Sequence, residues 1–598
     1  MPNISSGFLK NIYLRNLQVG FFVSLGAILF FVPLVLTWYG CNSPEINPQC
    51  YYSALLGVIP YSDAGGYYSG ALRYLESGLL CLWNLRRPIH TLLFSSELFL
   101  THGSFWYAMI LQAFMCGLSC SLAAYAVGKT LGRIAWAVFL VGGFVLAMSF
   151  IPTTLTETTG IALGMLAFVF LWIGYITRQV LTFSFGIFVL TFALHARAGA
   201  FLVLPCMIFL AMFDFTKSTS ARLRIFIHFC GAMIVATLVV IIAQKVYGNA
   251  DNQMHANFAF TLLGVVSGGK GWIAAYKLYP VLSSMTEPEQ ASFLYKESLK
   301  VFLHNPLLIF LGFAKGFLGF VKLHLSLLVP LDFLKNSSWI KALIRIAGFC
   351  LICLCFYILK RAYTNQYLHR MIKFIMAGFM GIIFSALMLW TDGGIRIFAA
   401  TYPFWVITLV LVVVAYKNRK HIDSFKPASV YYDGSFFYTK LAAIILLSYY
   451  LVLSLILPFF TQPQRIKDPF HVFPEKNVIL VRNVAKSPYV VIHPSENDFS
   501  NHGLREATRK RYEYLGKYCP EISGDLIRIA DKQYPSSSFV IFSAMNLRDY
   551  SQFFVLSDPG IIQENSTLLE LNGKVEKNFF IVSSYKSALV SRNNKEYK

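Results

Sequence analysis

Pro152-Thr-Thr-Leu-Thr-Glu-Thr-Thr159 runs directly into Gly160-Ile-Ala-Leu-Gly-Met-Leu-Ala-Phe-Val-Phe-Leu-Trp-Ile-Gly-Tyr-Ile176, and the next charge is Arg178. An uncharged apolar stretch of roughly 18 residues is long enough to cross the hydrocarbon of a bilayer as a helix. The polar Thr-rich segment before it and the arginine after it then mark two different membrane surfaces. Working outward, runs of the same kind recur near residues 19–38, 105–127, 134–151, 180–195, 199–213, 225–247, 339–359, 371–390, 397–416 and 438–458. With 56% hydrophobic and 13% charged residues, the 598-residue chain carries more apolar surface than one soluble core can hide. The expected fold class is an α-helical polytopic membrane protein of about eleven transmembrane helices.

The net charge of +22 would point to nucleic acid in a soluble protein. Here the cations fall between the apolar runs, as Lys10/Arg15, Lys129/Arg133, Arg178, Lys217/Arg222/Arg224, Lys360/Arg361/Arg370/Lys373 and Lys417/Arg419/Lys420. These clusters follow alternate crossings, so the positive-inside rule assigns all six to the cytoplasmic side and excludes nucleic acid as a partner. Membrane lipids are the expected surroundings, and a plasma membrane of the bacterial inner type is the expected location. Val19 to Trp38 is long enough to span and lacks a small-residue cleavage site, so it reads as a retained signal anchor. The alternation holds only if the apolar segment Asn305 to Pro330 does not cross. Leu307, Phe310, Leu311, Ala314, Phe317, Leu318, Val321 and Leu325 share one helical face with Lys315 and Lys322 off it, the pattern of an amphipathic helix at the outer interface.

The N-terminus is then cytoplasmic, and the chain emerges outside near Thr461. Residues 1–460 form the membrane domain, with outer loops at 39–104 and 248–338. Residues 461–598 form a small extracytoplasmic α/β or α+β domain, with β-prone runs at Asn477–Val481, Tyr489–Ile492, Phe539–Phe542, Phe553–Leu556 and Phe579–Val582 around a charged helical stretch near Leu504–Tyr518. Cys41 and Cys50 flank a polar outer loop and are candidates for a disulfide. Cys350, Cys353 and Cys355 lie inside an apolar run and read as packing surface.

Polar residues gather on the outer side. Loop 39–104 holds Tyr61-Ser-Asp-Ala-Gly-Gly-Tyr-Tyr68 at the start of a helix, with Tyr67, Ala71 and Leu75 on its buried side, followed by Trp83-Asn-Leu-Arg-Arg-Pro88 and His90. Ser62 or Asp63 could cap that helix, and Glu157 the next span; Arg86 and Arg87 could snorkel to headgroups or clamp a phosphate. Further outer turns carry His195-Ala-Arg197 and Trp390-Thr-Asp-Gly-Gly-Ile-Arg396. The Gly264-Val-Val-Ser-Gly-Gly-Lys-Gly-Trp272 turn does not have the spacing of a phosphate-binding P-loop. Asp63, Arg86, Arg87, Glu157, Arg197, Asp392 and Arg396 therefore share one membrane face while the spans are nearly free of charge. That arrangement favours an extracytoplasmic site over an ion path through the bilayer.

Residues 19–458 resemble the GT-C glycosyltransferases, the membrane class that includes protein O-mannosyltransferases and lipid A aminoarabinose transferases. The resemblance rests on Ser62-Asp-Ala-Gly-Gly-Tyr-Tyr68 at the start of the first outer helix, Arg87-Pro88, Thr156-Glu157, Ala196-Arg197, and Asp392-Gly-Gly-Ile-Arg396 with Pro403. The acidic motif has a single Asp followed by Gly65-Gly66 where the protein mannosyltransferases have paired Asp-Glu. The resemblance implies an inverting transfer of sugar from a polyprenyl-phosphate donor to a glycan, lipid or protein acceptor. Asp63 is the expected general base and Glu157 positions the acceptor or a cation. Arg86, Arg87 and Arg396 are the expected phosphate ligands, with His90, Arg197 and Asp392 lining the substrate site and Lys270 and Trp272 closing over the sugar. The cofactor is unassigned, with a divalent cation left open. The rival expectation is a transporter or flippase for glycoconjugates, which should show charged residues or broken helices near the midplane and two repeated halves.

Overall fold

The computed structural model describes residues 23–38, 54–55, 59–248, 256–327, 363–419 and 436–461, the isolated positions 20, 357, 358 and 360, and, towards the C-terminus, 478–482, 487–492, 532–534, 538–546, 552–563, 568–576 and 579–587. The expected disulfide Cys41–Cys50, the Cys350–Cys355 group, nearly all of the 339–359 run and the 504–518 helical stretch lie outside these residues.

Apolar helices dominate the membrane part: α1 (Val23–Val35), α4 (Phe105–Leu131), α5 (Arg133–Ala147), α6 (Thr156–Thr177), α7 (Val180–Ala196), α8 (Val203–Phe215), α9 (Thr219–Tyr247), α10 (Ala256–Val266), α13 (Gln366–Gly393), α14 (Tyr402–Lys417) and α15 (Phe437–Leu451). Between α1 and α4 lie α2 (Ser62–Ser77) and α3 (Pro88–Leu100); α11 (Glu287–His304) and α12 (Leu307–Leu327) precede α13. Among the described residues six segments are long and apolar enough to cross a membrane: Phe105–Leu131, Thr156–Thr177, Thr219–Tyr247, Gln366–Leu389, Arg396–Lys417 and Phe437–Phe460. A seventh is formed if α11 and α12, bent by 109°, count as one.

The eleven expected crossings are thus seen only in part. Four expected runs form the shorter helices α1, α5, α7 and α8. The reason is visible at α8: Gly199–Leu202 belongs to a turn held by Phe201 N donating to Gly199 O and Val203 N donating to Ala200 O, so part of the apolar run is not helical.

Helix α6 is the axis of the bundle, buried along nearly its whole length. Phe168 and Trp172 on it stack at 5.7 Å and meet Phe374 of α13 and Phe404 of α14 edge-on. Glycine permits the closest crossings: a methyl at Gly164 would collide with Ala400 O, and one at Gly174 would lie 2.6 Å from Phe183 N. The C-terminal end of α6 is closed by Arg370, whose guanidinium donates to Tyr175 O (2.6 Å) and Ile176 O (3.2 Å) and pairs with Asp214 (3.3 Å). Helix α9 is peripheral. Leu223, Ile227, Ile234, Val235, Leu238, Ile242 and Val246 are all exposed on it, an apolar surface that is stable against lipid tails and costly in water. The protein is membrane-embedded.

The amphipathic face expected on α12 is present, with Leu307, Phe310, Leu311, Phe317 and Leu318 exposed. The opposite face packs inward through Gly312 and Gly316, where added methyls would meet Val265 O and Leu387 O. Lys315 Nζ donates to Gly268 O at 2.7 Å.

The C-terminal part forms a six-stranded mixed sheet, β3-β7-β8-β6-β5-β4, after the two-stranded ribbon β1 (Ala54–Leu55) and β2 (Ile59–Pro60). Its strands are β3 (Val478–Arg482), β4 (Tyr489–Ile492), β5 (Phe539–Met545), β6 (Gln552–Ser557), β7 (Leu568–Glu576) and β8 (Phe579–Ser587). All five β-prone runs become strands. The unexpected one is β7, whose Leu-Leu-Glu-Leu-Asn-Gly-Lys-Val-Glu sequence is interrupted by a register shift at Asn572/Gly573. Phe542, Val555, Leu569, Leu571 and Phe580 form the core of the sheet.

A carboxylate and arginine cluster at one end of the helix bundle

Three helix ends meet where α6 begins, α7 stops and a 3-10 segment (Gly394–Thr401) leads into α14. Glu157 lies in the first turn of α6 and Arg197 is the extended residue closing α7. Arg396 stands in the 3-10 segment. Glycines make the approach possible: a Cβ at Gly160 would lie 2.7 Å from Arg197 Cβ, and one at Gly199 would strike Ile397 O.

Asp63 arrives from the first loop, in the first turn of α2. Neither expected cap forms: the N-cap of α2 is Tyr61 and that of α6 is Leu155, and neither makes a side-chain cap bond. Instead the carboxylates converge on arginine. Arg396 Nη2 lies 3.2 Å from Asp63 Oδ2, Arg396 Nε pairs with Glu157 Oε1, and Arg197 Nη2 lies 3.2 Å from the same Glu157 oxygen. Thr156 Oγ1 donates to Glu157 Oε2 at 3.3 Å. The Glu157 side chain is fully buried while that of Asp63 is 50% exposed, so the cluster grades from a closed inner carboxylate to an open outer one. A fully buried carboxylate is tolerable because two guanidiniums share it.

Arg87, the N-cap residue of α3, is a third cation close to this pair. Its Nη1 donates to Arg86 O at 2.5 Å, and among the described residues it has no carboxylate partner. Burial pulls its pKa down to about 10, against the opposing pull of Tyr67 and Glu157, so it stays charged at neutral pH. Among the described residues the buried Nε of Arg197 also makes no hydrogen bond. Among the described residues, three arginines (Arg87, Arg197, Arg396) face two carboxylates (Asp63, Glu157), leaving one positive charge and unengaged donors. Such a donor set suits an anion with several oxygens, above all a phosphate.

Tyr67 sits one helical turn after Asp63, its ring 4.6 Å from Trp83 and edge-on to His90 at 5.1 Å. Its hydroxyl makes no hydrogen bond among the described residues. Burial raises its pKa although Arg87 and Arg197 pull the other way. Tyr67 is buried and packs, as the helix periodicity predicts. Positions i and i+4 share a helix face, so Tyr67 also lies on the Asp63 side of α2, close enough to feel Asp63, Arg87, Arg197 and Glu157.

Other expected site residues are placed differently. His90 is wholly buried, its Nε2 donating to Thr154 O (2.9 Å) and its Nδ1 accepting from Thr159 Oγ1 (2.8 Å). Burial lowers its pKa to about 4, so it is a neutral strut between α3 and α6 with no nitrogen left for substrate. Arg86 is committed to Glu287 at the start of α11, with Nε 3.3 Å from Oε2 and a second contact between Nη2 and Oε1. It ties the segment before α3 to the start of α11 and is not an unpaired phosphate ligand. Lys270 and Trp272 are exposed on the glycine turn, whose Gly268, Gly269 and Gly271 all have positive φ, and Lys270 takes no part in the ion-paired cluster. The Asp392 side chain lies outside the described residues. No three His, Cys, Asp or Glu side chains among the described residues form a metal-binding group. Comparison with protein families, curated proteins and solved structures finds no match for this chain.

Proposed function

We propose that this protein is an integral membrane glycosyltransferase that moves a sugar from a polyprenyl-phosphate donor to an extracytoplasmic acceptor, with inversion at the anomeric carbon. The observation that carries this reading is the meeting of Asp63, Glu157, Arg197 and Arg396 beside the carboxylate-free Arg87. In such a reaction the acceptor hydroxyl loses a proton as its oxygen attacks the anomeric carbon, and the bond from that carbon to the phosphate oxygen breaks. Asp63 is the open carboxylate: Arg396 occupies Oδ2, and Oδ1 has no partner among the described residues, so it accepts the proton. Arg87 and Arg197 meet the charge that grows on the departing phosphate. Glu157, closed off from solvent, acts through the arginines it holds. Tyr67, whose phenol feels the charges of both Arg87 and Asp63, adds a hydroxyl to the same region.

The topology belongs to the same proposal: about eleven crossings of a bacterial inner membrane, the N-terminus inside, the C-terminal sheet outside and the cluster at the outer leaflet. Support comes from the alternation of the basic clusters and from the helix directions, since the start of α6, the end of α7 and the start of α14 meet at the site while Arg370 closes the opposite end of α6. The sugar and the acceptor are not specified by these residues.

The test is transfer of labelled sugar from lipid-linked donors to endogenous acceptors by the full-length protein in proteoliposomes. Asp63→Asn should lower turnover about 10²–10⁴-fold, the usual contribution of a positioned base, with unchanged yield and elution. Full activity in that variant refutes the assignment. Movement of an intact glycolipid across the bilayer without cleavage of its phosphate bond would favour the transport reading instead.

A further inference from the structure

Ser62, immediately before Asp63, has φ +55. A residue with a side chain rarely occupies this left-handed region and stays there only when its surroundings hold it. The holding contacts come from two directions. From the membrane part, Thr154 Oγ1 donates to Ala64 O at 2.6 Å. From the C-terminal sheet, Gln552 at the start of β6 donates through Nε2 to Pro60 O at 3.3 Å, and the same nitrogen is anchored to Ser543 Oγ at 2.7 Å. The amide of Gln552 also fills the space above Gly65, where an added Cβ would lie 2.5 Å from its Oε1. Two further contacts tie the same loop and helix to the C-terminal part: the Tyr61 ring lies 6.1 Å from Phe554, and Tyr68 Oη is 3.2 Å from Ser487 Oγ.

We infer that Gln552 is a positioning residue for Asp63: from the soluble domain it grips Pro60 and Gly65 on both sides of the left-handed Ser62, fixing the loop in the one shape from which Asp63 reaches Arg396. The C-terminal domain is then part of the site's framework although it brings no group to the reacting atoms. Gly65 is explained as well, since any side chain there would displace the Gln552 amide.

The brace is tested without reference to any reaction, by hydrogen exchange on the full-length protein in nanodiscs. Gln552→Ala should speed amide exchange in residues 61–66 by roughly tenfold or more, the order set by the strain of one left-handed non-glycine residue, while α6 and α7 keep parental rates. Gly65→Ala attacks the same contact from the other side and should give the same signature, which guards against a fault confined to the sheet. The consequence for turnover rests on the glycosyl-transfer reading. There Gln552→Ala should lower kcat roughly tenfold with donor KM little changed, and adding Ser62→Gly should restore most of the loss, because glycine takes a positive φ freely. A merely structural glutamine would not be rescued in this way. Unchanged exchange in residues 61–66 for both variants, or a kcat loss that Ser62→Gly leaves untouched, overturns the inference. Altered exchange in a protein that transfers no sugar overturns the reaction and leaves the brace standing.

Discussion

Arg396 divides its guanidinium between Asp63 and Glu157, and this sharing makes two carboxylates from distant parts of the chain behave as one unit. Arg396→Lys keeps the charge but loses the fork, so donor turnover should fall at least as far as in Asp63→Asn while the protein still folds. Steady-state kinetics on the purified variant check this. Arg87→Ala, by contrast, removes a cation that is ion-paired to no carboxylate among the described residues and should weaken donor binding without unfolding the protein. Inhibition of donor use by free polyprenyl phosphate, weaker in Arg87→Ala than in the parent, reads that role. A third prediction concerns Glu97 of α3, wholly buried with Tyr449 Oη donating to its Oε1 at 2.8 Å. Burial pushes its carboxyl up to about 8 from an ordinary 4.5. Between those values the folded state keeps a proton that the unfolded chain has lost, so stability declines as pH rises through that window. Glu97→Gln should flatten this decline, gaining on the parent in thermal unfolding near about pH 8.5 far more than near about pH 5. At this scale Asp63, Glu157, Arg197 and Arg396 were legible because charges at the ends of uncharged helices stand out. Tyr67 is buried as its helix periodicity predicts, whereas His90 is a buried strut in place of a substrate-lining residue, since sequence spacing does not tell one from the other.

The elements succeed or fail by how closely backbones approach. Gly199 lies against Ile397, the neighbour of Arg396, so Gly199→Ala should force α8 and the 3-10 segment apart. The expected loss is about 1–3 kcal/mol, read as a lower unfolding temperature in detergent, together with loss of activity as Arg396 shifts. The last apolar segment shows a different device. Between α15 and Leu457–Phe460 it widens into a π-helical stretch (Val452–Ile456), which leaves carbonyls without their usual helical donors. Hydroxyl groups from the first loop and α9 satisfy two of them and one carbonyl of the following turn: Ser96 Oγ donates to Leu453 O (2.6 Å), Tyr247 Oη to Leu455 O, and Tyr74 Oη to Pro458 O (2.6 Å). Apolar run length and strand alternation made most elements readable. The π stretch was hidden because it depends on hydroxyls some 200 to 380 positions away, and β7 because charged residues and a bulge break its alternation.

For the whole molecule, hydrophobic content and apolar runs made the membrane class plain, whereas the seating of the first loop on the C-terminal sheet left no mark in composition or periodicity. That seating requires the sheet and the Asp63 loop to share a compartment. On the topology proposed above, a phosphatase that is active only outside the cytoplasm should work when fused to the C-terminus and be silent when fused after Arg419. On the proposed mechanism, the arginine-held Asp63 drives cleavage of a sugar–phosphate bond on a polyprenyl carrier. The most direct test is mass spectrometry of polyprenyl phosphate released from a lipid-linked sugar pool supplied to the purified full-length protein with cell-envelope acceptors. Release that matches sugar transfer one for one in the parent protein and is lost in Asp63→Asn is the expected result; a donor pool left intact by the parent protein, or consumed equally by Asp63→Asn, contradicts it.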